Sequence, residues 1–187
     1  MLSTTFELDA ARWNAAPAFE AWLPTAQKNA DLWAGVYKHA HVGDAMAARA
    51  AAAVRAGSPT HLAVLSEDWC GDAVNSVPYV QRLVERVPGL DLRMLGRDAN
   101  PDIMDAHLTG KSRSVPVVML LDADLREHGW WGPRPAELQA WVLGPGQALD
   151  KDDRYREIRR WYARDHGAAI LHEVVTMLER GAASRST

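Results

Sequence analysis

The chain has 187 residues, a net charge of −3 and a single cysteine, with 48% hydrophobic and 24% charged residues. This length is sufficient for a folded domain with its own core. Basic residues are interleaved with acidic ones, which argues against a nucleic-acid partner. One cysteine excludes an intrachain disulfide. Because the sequence shows neither an apolar leader nor an apolar run of membrane length, we expect a cytoplasmic protein without a membrane partner.

Residues 1–56 have the periodicity of helices. Apolar residues recur there at intervals of three and four, as at Phe19, Trp22 and Leu23 and again at Trp33, Val36 and Tyr37. An alanine-rich stretch then runs to Gly57, and a glycine in this place is typical of a helix end. The pattern predicts a helical N-terminal extension.

The middle of the chain alternates between strand and helix patterns. Helices are predicted from Asp72, from Pro101 and after Pro135. Strands are predicted over four short apolar stretches, HLAVLS (61–66), LDLRML (90–95), VPVVMLLD (115–122) and LREHGWW (125–131). Strands joined through a helix are expected to be parallel neighbours, and the last two strands are expected to form a hairpin.

A C-terminal helical extension is predicted over residues 147–187. Residues 151–180 are typical of one long amphipathic helix or of two helices broken at Gly167. Six apolar residues are expected to face inward: Ile158, Trp161, Tyr162, Leu171, Val175 and Leu178.

The stretch SEDWCGDA (66–73) places Cys70 between a predicted strand and a predicted helix. Pro78, the segments DANP (98–101) and SVP (114–116), and Gly132 follow in order. Together these residues resemble the landmarks of the thioredoxin superfamily. The resemblance implies an α/β thioredoxin-like fold, a central mixed sheet flanked by helices. It also implies a thioredoxin core over residues 60–145. The helical extensions over 1–56 and 147–187 lie outside what the resemblance implies, and the length of the chain predicts a single domain over 1–187.

Within that superfamily the chain is similar to a bacterial thioredoxin-like group with a single-cysteine Trp-Cys-Gly-Asp motif. Three segments carry this similarity, Glu67–Asp72, Arg113–Pro116 and Trp131–Pro135. The chain departs from thioredoxins at two positions. Ala73 stands where a resolving cysteine is expected, and Val64 stands where thioredoxins bury an acid that moves protons. Both departures remove the internal resolution of a mixed disulfide.

Cys70 is the predicted nucleophile. At the start of a helix, free backbone N–H groups and the helix dipole favour its thiolate. The nearby carboxylates of Glu67, Asp68 and Asp72 disfavour it, and the sequence leaves the balance open. Asp72 is either a residue that stabilises the first helical turn or a proton acceptor for Cys70. The simplest alternative for Cys70 is a small buried apolar residue.

The resemblance also implies a substrate surface around Cys70. Pro116 is expected to be cis, so that the backbone of Val115 faces an extended substrate. Trp69, Gly71 and Gly132 complete this predicted surface. Arg113 and Arg134, with Lys111 nearby, are candidates to hold a carboxylate of a small thiol or peptide, or are ordinary solvated loop residues.

Three functions remain open at this stage. The first is a monothiol thiol–disulfide oxidoreductase in which Cys70 forms a mixed disulfide that an external thiol, glutathione or an equivalent co-substrate, resolves. Its partners would be protein or small-molecule thiols and disulfides. The second is a non-catalytic binding or adaptor module that uses the groove beside Pro116. The third is a redox sensor. We expect no bound cofactor and no metal, since His39 and His41 are spaced two apart and no ligand cluster is visible. The oligomeric state is unknown from the sequence.

Overall fold

The computed structural model of the protein describes residues 6–184. The outer ends of the two predicted extensions, residues 1–5 and 185–187, lie outside the described residues. The N-terminal extension is helical as predicted. Its elements are α1 (Ala10–Ala15), α2 (Phe19–Trp22), a 3-10 turn (Leu23–Thr25), α3 (Ala30–His39) and α4 (Asp44–Arg55).

The middle of the chain contains four strands. Its elements are β1 (His61–Ser66), α5 (Gly71–Arg86), β2 (Asp91–Gly96), α6 (Pro101–Ala106), β3 (Val117–Leu121), β4 (Glu127–Trp131) and α7 (Ala136–Leu143). The sheet has the order β2-β1-β3-β4, with β1 parallel to β2 and antiparallel to β3. Strands β3 and β4 form the predicted antiparallel hairpin. The mixed sheet flanked by helices confirms the predicted thioredoxin-like fold class.

The prediction that all strands joined by helices are parallel neighbours is wrong for β2 and β3. They are not adjacent, and β3 pairs with β1 in the opposite direction. The parallel rule applies to helices that carry the chain back across the sheet. Helix α6 has only six residues, and β3 begins at Val117 opposite Leu65, at the edge where β1 and β2 end. The chain therefore leaves β2 and enters β3 at the same edge of the sheet, and both ends of this connection lie beside Cys70.

Helix α5 carries a mostly apolar face into the core. Val74, Val77, Val80 and Leu83 are fully buried at helical spacing, which is the pattern of an amphipathic helix packed on a sheet. Strands β1 and β3 contribute the central apolar layer. The first residue of α5 thus has a fixed position at the sheet edge.

The C-terminal extension consists of two helices. A 3-10 turn (Pro145–Ala148) precedes α8 (Lys151–Asp165) and α9 (Ala168–Ser184). The chain turns between them at His166 and Gly167, both in the left-handed region. A Cβ at Gly167 would lie 2.3 Å from the ring of Tyr79 on α5, so only glycine fits there. Helix α9 packs against α4, α5 and β4. Of the six residues predicted to face inward, five are buried and Trp161 is half-buried.

A buried pair links α6 to β4. The ring nitrogens of His107 lie 2.6 Å from the carbonyl oxygen of Ile103 and 2.6 Å from Oε2 of Glu127. Both oxygens act as acceptors, so both ring nitrogens donate when the imidazole is protonated. Burial alone would lower the pKa of His107, but the hydrogen bonds to Glu127 and Ile103 hold it above 6.5.

Candidate functional site

Cys70 occupies the N-cap position of α5, directly after the loop that leaves β1. Its backbone N–H donates to the carbonyl of Glu67 at 3.1 Å, which closes a tight turn before the helix. Its Sγ–H donates to the carbonyl oxygen of Val115 at 3.1 Å. The side chain is 7% exposed, so little of the sulfur contacts solvent in the free protein.

The environment of the sulfur raises the pKa of Cys70 to about 11. Burial is the main cause, and the negative charge of Asp72 adds to it. The backbone amides of Ala73 and Asp72 and the charge of Arg134 oppose the rise. The balance that the sequence left open therefore favours the protonated thiol at neutral pH.

Two of the three acidic side chains around Cys70 bind backbone amides of other segments. Oε1 of Glu67 accepts from the N–H of Asp98 at 2.9 Å. Oδ2 of Asp68 accepts from the N–H groups of Gln27 and Lys28 at 2.8 and 2.9 Å. The carbonyl of Asp68 also accepts from the indole N–H of Trp33 at 3.0 Å. The N-terminal extension thus holds the loop that precedes the cysteine.

Asp72, the third acid, is buried and paired. Its Oδ2 lies 2.6 Å from Nη2 of Arg134, and its Oδ1 accepts from the hydroxyl of Tyr162 on α8 at 3.0 Å. Arg134 also donates from Nη1 to Gln139 at 3.0 Å. Burial raises the pKa of Asp72, while Arg134 and Tyr162 oppose the rise. Since both carboxylate oxygens already have partners, the contacts favour a positioning role for Asp72 over a proton acceptor.

An open cleft of about 460 Å³ lies beside Cys70. Seven of the predicted site residues line it: Trp69, Cys70, Gly71, Asp72, Arg113, Val115 and Arg134. Pro116 and Gly132 lie behind Val115 and are not among the lining residues, and neither is Lys111. The structure therefore brings most of the predicted site together on one surface.

Pro116 and Gly132 support the cleft from behind. The Val115–Pro116 peptide bond is cis. Gly132 has φ of 136°, and a Cβ there would lie 2.1 Å from the carbonyl oxygen of Pro116. Only glycine permits this approach of the two backbone segments, so Gly132 acts on the shape of the segment that contacts Cys70.

Several lining residues were missed by sequence reasoning. Arg97 follows β2, Leu32 belongs to α3, and α8 contributes three residues, Tyr155, Ile158 and Arg159. The α8 residues occur at the three- and four-residue spacing of one helix face, which also contains Tyr162. That spacing was visible in the sequence, but nothing in it indicated that this face meets the cysteine.

The positions of the missing thioredoxin groups are apolar. Ala73 and Val64 are both fully buried among hydrophobic neighbours. Cys70 therefore has no second sulfur to resolve a mixed disulfide. Within residues 6–184, no group of three or more His, Cys, Asp or Glu residues is placed to hold a metal ion. No helix in the same range is long and apolar enough to cross a membrane.

Comparisons with known proteins agree with this architecture. A crystal structure of a protein of unknown function from Pseudomonas aeruginosa is 18% identical with a TM-score of 0.69, and the match covers 92% of this chain and 98% of that one. An HIV epitope-scaffold is 19% identical with a TM-score of 0.68, and the match covers 91% and 96%. At these identities the likeness shows the fold alone. No curated protein matches the chain at a significant level.

A family model described as thioredoxin matches residues 16–161. The match includes the Cys70 motif, the segment before Pro116 and the first part of α8. Because it spans well over half of the chain, the protein belongs to the thioredoxin family.

Proposed function

We propose that the protein is a monothiol thiol–disulfide oxidoreductase. The observation that carries this proposal is the position of Cys70. Its sulfur lies at the N-terminus of α5, within hydrogen-bond distance of the Val115 carbonyl, and on the wall of a cleft of about 460 Å³. Because the protein belongs to the thioredoxin family, thiol–disulfide exchange at Cys70 is the function that we expect.

The proposed reaction has two exchange steps. The Cys70 thiolate attacks one sulfur of a disulfide, so that a bond forms between Cys70 and that sulfur while the original disulfide bond breaks. The second sulfur leaves as a thiolate and takes up a proton. An external thiolate then attacks the substrate sulfur of the mixed disulfide and releases the Cys70 thiolate. The external thiol is required because Ala73 cannot supply a sulfur.

We also propose that the chain belongs to the bacterial single-cysteine group within this family. The contacts of Glu67, Asp68 and Asp72 support this, since each acid of the Glu-Asp-Trp-Cys-Gly-Asp stretch has a separate partner in the fold. A compartment that keeps thiols reduced, such as the cytoplasm, would suit a protein that depends on one free thiol.

A second candidate function is a thioredoxin-fold binding module. The low exposure of Cys70 and its pKa of about 11 favour it, because both reduce the thiolate available at neutral pH. In this case the cleft would bind a ligand without bond exchange at the sulfur.

One experiment separates the two candidates. The reduced protein is incubated with glutathione disulfide, and intact-mass spectrometry follows the adduct on Cys70 over a range of pH. Excess reduced glutathione is then added to the isolated adduct. The oxidoreductase proposal expects one adduct per chain, faster formation as pH rises toward 11, and release by the added thiol.

Two controls define the result. Cys70→Ser must give no adduct, and urea-unfolded protein must react readily. A folded protein that stays unmodified while the unfolded chain reacts would contradict the oxidoreductase function and support the binding module. An adduct that added thiol cannot remove would contradict turnover.

A further inference from the structure

We propose that the cleft selects small thiols and disulfides that carry an anionic group, and that Arg159 of α8 binds this group. The inference rests on the proposed exchange function, since the ligand must bring a sulfur to Cys70. It adds the charge class of the ligand and assigns a selectivity role to the C-terminal extension.

The charge of the cleft lining is the first observation. Four arginines line it, Arg97, Arg113, Arg134 and Arg159, whereas its one acidic residue is Asp72. The chain as a whole has a net charge of −3. A cationic surface in an acidic protein attracts anions to that surface and raises their local concentration.

The four arginines differ in how far their charge is already used. Arg134 is paired with Asp72. Nε and Nη2 of Arg113 each donate to one carboxylate oxygen of Asp105 at 2.7 Å. Arg97 pairs with Asp98 and lies over the ring of Trp69 at 4.8 Å.

Arg159 is different. It is exposed, and across residues 6–184 it forms neither an ion pair nor a hydrogen bond. Its neighbours on α8, Arg156 and Arg160, are paired with Asp153 and Glu157. The guanidinium of Arg159 thus has all its donors available for a carboxylate, sulfonate or phosphate.

The apolar part of the lining indicates the rest of the ligand. Leu32, Trp69 and Tyr155 are 47%, 46% and 45% exposed, and all three line the cleft, where they provide exposed apolar surface. The volume lies in the range of about 300–1,000 Å³ that is typical of small-molecule sites. The lining therefore suits a compact organic ligand with a charged end and an apolar or planar part.

Three small reagents test this selectivity at Cys70. They are methanethiosulfonates with an anionic sulfonatoethyl, a neutral methyl or a cationic trimethylammonioethyl group. In each case the cysteine thiolate forms a disulfide with the alkylthio group, and methanesulfinate leaves. Rates are measured at one pH and divided by the rates of the same reagents with 2-mercaptoethanol. The anionic-to-cationic ratio then reports selectivity alone, since any change in thiolate fraction affects both reagents equally.

We expect wild-type protein to favour the anionic reagent. Arg159→Gln should lower the ratio roughly twofold to fivefold, the effect of one exposed ion pair, and Arg159→Glu should lower it further. Arg160→Gln is the matched control. It removes the same charge one residue away, outside the cleft lining, and should change the ratio by less than about twofold because solvent screens it.

The contrary outcomes are distinct. If Cys70 reacts but the normalised ratio is near one, or Arg159→Glu matches wild type, the selectivity inference is overturned while the exchange function stands. If no reagent modifies folded protein although unfolded protein reacts, the exchange function itself fails, and this inference fails with it.

Discussion

Two effects on the ionisation of Cys70 oppose each other. The N-terminus of α5 stabilises the thiolate, whereas burial of the side chain destabilises it. The sulfur faces the amides of Ala73 and Asp72, yet it is 7% exposed and lies near a carboxylate. Burial and the Asp72 charge prevail, so the resting form is the thiol, which donates a hydrogen bond to the Val115 carbonyl oxygen. A substrate that enters the cleft therefore contacts a protonated thiol, and this thiol must lose its proton before it can react.

Replacing Asp72 by Asn tests the electrostatic part of this balance. The change removes a negative charge that raises the pKa of Cys70 and leaves the positive charge of Arg134, so the thiol pKa should fall. About 1.4 kcal/mol of electrostatic free energy changes the thiolate fraction tenfold, so alkylation by iodoacetamide near pH 8 should be about tenfold faster.

The control is Asp31→Asn, which removes an exposed carboxylate on α3. It should leave the alkylation rate unchanged. A slower rate in Asp72→Asn would mean that Asp72 acts as a proton acceptor and would contradict the positioning role.

The position of Cys70 was predictable at this scale, but its ionisation was not. The motif alone indicates Cys70 and places it at a helix start. Its pKa depends on burial, on the charge of Asp72 and on the opposing charge of Arg134, which comes from a segment distant in sequence. Those contacts are set by tertiary packing, which a local pattern cannot convey.

Both helical extensions form hydrogen bonds with residues next to Cys70, although they lie outside the predicted thioredoxin core. The N-terminal extension binds Asp68 through Gln27, Lys28 and Trp33. The C-terminal extension binds Asp72 through Tyr162 and provides one wall of the cleft. The loop that carries Cys70 is therefore held from both ends of the chain.

Replacing Asp68 by Ala should loosen this loop. The backbone N–H groups of Gln27 and Lys28 lose their acceptor, which should lower the free energy of unfolding by about 1–2 kcal/mol. Urea unfolding measures the loss, and amide hydrogen exchange at residues 27 and 28 should become faster.

Asp68→Asn keeps one side-chain oxygen as an acceptor and should lose less stability than Asp68→Ala. Equal losses in the two variants, or unchanged exchange at residues 27 and 28, would show that these hydrogen bonds do not hold the loop.

The existence of these helices was predictable from periodicity, and the break at Gly167 was one of two alternatives. Their role at the site was not predictable. Helical spacing identifies which face of α8 is apolar, but not which element that face meets. The cationic contribution of Arg159 depends on that placement.

Over the whole molecule, the reversal of β3 brings the site together. Because β3 begins at the edge where β1 and β2 end, the two ends of the connection between β2 and β3 place Arg97, Arg113 and Val115 beside Cys70. The sequence patterns predicted the four strands, and the resemblance to thioredoxins implied the mixed sheet. The parallel-neighbour rule misplaced β3, since it assumes a helix long enough to recross the sheet.

Stability of the whole fold should depend on the His107–Glu127 pair. The native pKa of His107 is raised above 6.5, so its contribution is fully present below pH 6.5 and is lost as pH rises through the native value. Urea unfolding between about pH 6 and pH 9 should show this decline in wild-type protein.

Glu127→Gln keeps an acceptor for the His107 ring but removes the charge. It should be less stable by about 1–3 kcal/mol at the acidic end and should lack most of the decline. If both proteins show the same pH dependence, the pair does not account for it.

The corner at Gly167 connects α8, which lines the cleft, to helix α5. Tyr79, whose ring fills the space above Gly167, belongs to the same helix that begins at Cys70. The same helix therefore carries Cys70 at its N-terminal end and, about two and a half turns along, contacts the corner where α8 ends. Cys70 and the C-terminal end of α8 are both positioned by α5, so a displacement of α5 should move these two parts of the cleft lining together.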